Sequence, residues 1–137
     1  MDLYPTNPLF YYLNGLANYY KKNYKQSIES ISTGVNFVVD NQNLSSEMYA
    51  ILGNSYNQIK DYKKSDESYE KALGFLPDNV QVLNNYAYYL SLRGENLERA
   101  KEMSLTTIEM FPDEANYYDT YAWVLYKMKN FIEAKIW

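Results

Sequence analysis

A spaced recurrence constrains this chain more than any other feature. Gly15, Gly53, Ala87 and Ala122 mark equivalent points in four similar segments, separated by 38, 34 and 35 residues. The marks sit in Gly15-Leu16-Ala17, Leu52-Gly53-Asn54, Tyr86-Ala87-Tyr88 and Tyr121-Ala122-Trp123. Twelve or thirteen residues after each mark stands a second small residue: Ser27, Ser65, Ala100 and Ala134. A period near 34 residues describes units that bury their apolar faces only by stacking on neighbours.

Inside each unit the apolar residues recur at three- and four-residue spacing, and Gly and Pro fall between those stretches. Strict alternation is absent, so the expectation is an all-α chain of antiparallel helix pairs. Residues 8–21 read as the first helix, with Pro8 in its first turn, and residues 24–39 as the second, carrying Ile28, Ile31 and Val35. The turn-rich stretch 40–45 precedes a third helix that Ser46 would cap and that runs to about residue 59. Tyr62, Ser65, Tyr69 and Ala72 carry the fourth, which stops before Pro77 because proline cannot continue a helix. Leu83, Tyr86, Ala87 and Leu90 mark the fifth, and Leu97, Ala100, Ser104 and Ile108 the sixth, ending before Pro112. Tyr118, Tyr121, Ala122 and Leu125 mark the seventh. Lys129-Asn130 would then turn the chain into an eighth helix from Phe131 to Trp137.

Composition narrows the function classes. Cys and His are both absent, which removes disulfides, thiolate metal sites and the commonest general base. Net charge is −4, and no Lys/Arg block interleaves with the aromatics, so the expected partners do not include nucleic acid. No apolar run approaches the ~20 residues that span a bilayer, so membrane insertion is not expected. Met1-Asp2-Leu3-Tyr4-Pro5 has neither the charged start nor the apolar core of a signal peptide. There is no Gly-rich phosphate loop and no nucleophile-elbow serine. The acidic pairs Asp66-Glu67 and Asp113-Glu114 read as solvated surface. No catalytic residue, metal site or cofactor is expected.

The positions resemble the tetratricopeptide repeat family. Tyr49, Leu52, Gly53, Tyr56, Tyr62, Ser65, Tyr69, Ala72 and Pro77 follow its motif in order, with Ser in place of one Ala. The third unit matches at Leu83, Ala87, Leu90, Leu97, Ala100 and Pro112, and the fourth at Tyr118, Ala122, Leu125, Phe131 and Ala134. The first fits at Tyr11, Gly15, Tyr24 and Ser27 but departs at Asn18, Gly34 and Val39. The resemblance implies a right-handed superhelix of helix pairs. It would form one array over 8–137, in units of about 8–45, 46–79, 80–114 and a truncated 115–137, after an extension at 1–7. The last two units also look like the terminal part of long bacterial proteins of this family. Some of those are exported or surface-attached, with the targeting signal upstream, so the compartment is left open.

In that family the first helix of each pair lines a concave groove. The matching positions include Tyr12, Leu16 and Tyr19, then Asn54 and Asn57, then Asn84 and Tyr88, then Asp119, Trp123 and Tyr126. Asn side chains can pair with an extended peptide backbone, and Tyr and Trp supply contact area at low entropic cost. The resemblance thus implies a non-catalytic scaffold that binds a peptide or a partner helix. Family members that clamp a chaperone tail do so with basic groove residues; here those places hold Tyr12, Ala50, Gln81 and Asn85, so that ligand is not expected. The alternative is an assembly segment, continuing into further repeats or forming a homodimer through Phe131, Ile132, Ile136 and Trp137.

Overall fold

The computed structural model describes residues 6–136, with the side chains of residues 6–129. Among the described residues seven α-helices follow one another, α1 (Pro8–Tyr20), α2 (Tyr24–Gly34), α3 (Gln42–Gln58), α4 (Tyr62–Phe75), α5 (Val80–Arg93), α6 (Leu97–Met110) and α7 (Ala115–Ile136), and a 3-10 turn, Val35–Phe37, extends α2. They fall into two compact units, Met1–Asn79 and Val80–Trp137.

The hairpin turns of the first unit are built alike. At the end of α1 the chain passes through Lys22 at φ 65°, and the Asn23 N–H donates back to the Asn18 carbonyl at 2.8 Å. At the end of α3 it passes through Lys60 at φ 66°, and the Asp61 N–H donates to the Tyr56 carbonyl at 2.9 Å. This left-handed closure satisfies carbonyls that a helix end would otherwise leave unpaired. In the second unit Gly94, at φ 67°, closes α5 with the Glu95 N–H on the Leu90 carbonyl at 3.1 Å.

The small residues of the recurrence sit where helices touch. The Ser27 hydroxyl donates to the Gly15 carbonyl at 2.8 Å, and the Ser65 hydroxyl to the Gly53 carbonyl at 2.7 Å. A β-carbon added at Gly53 would lie 2.5 Å from the Tyr69 ring, so this contact requires glycine. Gly34, a departure from the family motif, has the same kind of role. It stands 38 residues before the buried Ala72, and a β-carbon there would run into Tyr11. Around these contacts Tyr11, Ile31, Met48, Ile51 and Leu52 form the buried core of the first unit. In the second unit α7 packs on both α5 and α6, and Leu83, Tyr86, Ala87, Leu90, Ala100, Met103 and Val124 are buried.

Three expectations are corrected. α3 starts at Gln42, not at Ser46: the Asn41 side chain accepts the Leu44 N–H at 3.0 Å and caps the helix. Ser46 is instead fully buried inside α3 and donates to the Ala72 carbonyl at 2.8 Å. α2 ends at Gly34 rather than at residue 39, because the chain tightens there into the 3-10 turn. The third correction is larger. α7 runs unbroken from Ala115 to Ile136, so Lys129-Asn130 makes no turn and no separate eighth helix begins at Phe131. Lys-Met-Lys-Asn contains neither Gly nor Pro, and breaking the helix there would orphan backbone groups at two new termini. The expected homodimer contacts at Phe131, Ile132, Ile136 and Trp137 concern side chains outside the described residues.

Candidate functional site

In the first unit the expected groove positions are largely committed to packing. Tyr12, Leu16 and Tyr19 lie half-buried against the core, and the Tyr19 ring meets those of Tyr20 and Tyr24, each at 5.6 Å. The Tyr12 phenol is pushed above its ordinary pKa, first by burial and then by the nearby Glu47 carboxylate and Tyr20. Asn54 is engaged as well: the hydroxyl of the buried Tyr69 donates to its Oδ1. Asn57, half-buried, stands near the end of α3, and its carbonyl accepts the Lys60 N–H at 3.1 Å.

The second unit presents a different surface. Asn84 and Tyr88 lie one turn apart on α5; Asp119, Trp123 and Tyr126 occupy the corresponding positions of α7, which packs on α5. Tyr88 is 40% exposed, Trp123 37% and Tyr126 55%. The Trp123 and Tyr126 rings stack at 5.5 Å with 24° between their planes, and the Lys127 ammonium lies 5.3 Å from the Trp123 ring centre. That stack holds a broad apolar plate facing solvent, with a cation on it. The Asn84 Oδ1 is buried and, among the described residues, receives no hydrogen bond. A buried acceptor without a donor is costly. Asp119 is exposed.

Sequence reasoning missed Lys127, although its four-residue spacing from Trp123 places it over the ring. It also missed the tie between Tyr69 and Asn54, which needs the hairpin register to be seen. Among the described residues no three His, Cys, Asp or Glu side chains gather as a metal site would require, and no helix is long and apolar enough to cross a membrane.

No protein-family model matches the chain, and no curated protein matches it. Among solved structures it is similar to the C-terminal tetratricopeptide-containing domain of a Plasmodium falciparum protein described as FK506-binding. The TM-score is 0.80 at 20% identity, over 96% of this chain and 97% of that one. At that identity the likeness is one of fold. Its helical hairpins, their small-residue contacts and this likeness together assign the chain the tetratricopeptide-repeat fold.

Proposed function

We propose that this protein is a non-catalytic interaction scaffold, and that the α5 and α7 surface of its second unit holds an extended peptide of a partner protein. The fold itself suggests protein partners. The observation that carries the peptide reading is the exposed aromatic surface of Tyr88 and of the stacked Trp123 and Tyr126. The rings would take apolar side chains of the peptide. Asp119, at the register of Asn84 on the next helix, favours a basic residue nearby in the partner. The first-unit positions contribute less to this reading, because Tyr12, Leu16, Tyr19 and Asn54 are already engaged within their own unit.

Selection from a random-peptide library on the full chain, followed by titration of the selected peptides, tests this. Tyr88→Ala and Trp123→Ala should each weaken binding about tenfold or more. Lys71→Ala, outside the surface, should leave affinity unchanged. Peptides that bind all these variants equally well would exclude the α5 and α7 surface.

A further inference from the structure

The positive charge of the first unit is concentrated on one edge. Residues 20–26 and 59–65 are its two hairpin turns with the first turn of the helix that follows each. They hold six of the chain's 13 cationic residues and one of its 17 acidic ones, a local charge of +5 in a chain of net charge −4. The cations are Lys21, Lys22, Lys25, Lys60, Lys63 and Lys64, all exposed. The one acid, Asp61, is half-buried, and its carboxylate accepts the Lys64 N–H at 3.3 Å at the start of α4.

The fold brings the two turns side by side. Ile59, at the end of α3, lines one open hollow with Lys22, Asn23, Tyr24, Lys25 and Gln26 of the other turn. Beneath them the Ser55 hydroxyl donates to the Ser27 hydroxyl at 3.4 Å. At the other end of these helices, residues 35–41 and 76–79 contain Asp40 and Asp78 and no lysine or arginine. The unit therefore has a basic edge and an acidic one. Lys22 and Lys60 stand at the tips of the basic edge with φ 65° and 66°, where glycine is favoured and lysine is strained. Lysine held at both tips against local preference marks side chains kept for what they contact. Among the lysines Tyr20, 75% exposed, Ile59 and Tyr62 also lie open to solvent.

We propose that this edge docks the protein on an anionic lipid surface. Lysine is a point charge on a flexible stem, which suits a diffuse and mobile array of headgroups. A single carboxylate or phosphate held in fixed geometry calls for the planar fork of arginine, and the edge has none. The exposed tyrosines fit the same surface, since an amphipathic ring sits at headgroup level between water and hydrocarbon. An acidic partner protein would be matched by the lysines alone and leaves Tyr20, Ile59 and Tyr62 without a role. The attachment is peripheral, because no helix among the described residues is long and apolar enough to cross a membrane. With Asp40 and Asp78 at the far end, a negative surface also orients the unit, turns inward.

The full chain should sediment with phosphatidylcholine vesicles carrying about one third phosphatidylserine at about 0.1 M salt, and be released at about 1 M. Vesicles of phosphatidylcholine alone should leave it in solution. Lys22→Gly combined with Lys60→Gly relieves the two strained tips, so this variant should be at least as stable as the parent. It should nevertheless bind the anionic vesicles about thirtyfold more weakly, roughly fivefold for each lysine. Lys71→Ala combined with Lys101→Ala removes the same charge outside the edge and should bind as the parent does. No binding to the anionic vesicles, equal binding to the neutral ones, or an equal loss in both double variants overturns the proposal. Binding to soluble poly-glutamate as tight as to the vesicles, at equal charge concentration, also overturns it and assigns the edge to an acidic protein.

Discussion

The Ser65 hydroxyl donates a 2.7 Å hydrogen bond to the Gly53 carbonyl, closing the α3–α4 hairpin at its narrowest point. The same bond recurs between Ser27 and Gly15 at 2.8 Å in the α1–α2 hairpin. Serine at these positions is therefore more than a small residue tolerated in place of alanine. The hydroxyl is fully buried in both cases, and its bond ties a carbonyl of one helix to the other helix of the pair. Ser65→Ala should cost about 1 kcal/mol, since the Gly53 carbonyl keeps its helical partner. Gly53→Ala should cost more, about 1–3 kcal/mol, because the added carbon meets the Tyr69 ring. Urea midpoints of the two variants rank these effects; Ser65→Ala as the more damaging change would reverse the assignment.

Tyr69 is buried beneath the same hairpin, and its hydroxyl ends on the Asn54 amide oxygen. Tyr69→Phe should destabilise by about 1 kcal/mol through the lost hydrogen bond. Because Asn54 is a structural partner here, this variant should leave affinity for selected peptides unchanged. Altered peptide binding would return Asn54 to the recognition surface.

The raised pKa of Tyr12 makes stability depend on alkaline pH. The folded state disfavours its phenolate, through burial and the Glu47 carboxylate, so the folded pKa lies above the unfolded one. Its contribution is fully present below the unfolded pKa, about 10, and is lost as pH rises through the folded value. Thermal melts at pH 9 and pH 11 should fall less steeply in Tyr12→Phe than in the parent chain. Equal slopes in the two proteins would remove Tyr12 as the source.

Lys22 and Lys60 hold a left-handed conformation that favours glycine. Lys22→Gly and Lys60→Gly should each stabilise the first unit by about 0.5–1 kcal/mol, the relief of strain outweighing the extra chain entropy of glycine. Lys129→Gly, in the same local pattern but inside α7, should instead destabilise by about 1 kcal/mol, because glycine weakens a helix interior. Chemical denaturation of the three variants measures the signs. Stabilisation by all three would show that Lys129 also sits in a turn.

Much of the fold is legible in the sequence. The recurrence of Gly15, Gly53 and Ala87, the prolines at 77 and 112, and Gly94 after α5 mark hairpins because small size, a missing N–H and a positive φ act locally. Ser46, the expected cap of α3, and Asn41, the actual one, are both good capping residues, so local chemistry does not separate them. Only packing decides which of them is exposed at the start of a helix and which is buried beneath Ala72.

The site was legible at coarser grain. The register that picked out Asn84, Tyr88, Trp123 and Tyr126 follows from helical periodicity read together with the tetratricopeptide resemblance. That Asn54 is taken by Tyr69 depends on a contact between residues 15 apart in sequence, which no local pattern contains. The sequence by itself determined that this chain folds into helix pairs of near-constant length, because each short-range signal repeats with the same period. Tertiary structure alone decided which of three equivalent Lys-Asn/Asp-Tyr/Phe patterns become turns. Lys22-Asn23 and Lys60-Asp61 turn because a helix of 11 or 14 residues returns to bury the Gly15 or Gly53 face. At Lys129-Asn130 the helix runs on, and unbroken backbone hydrogen bonding in α7 prevails.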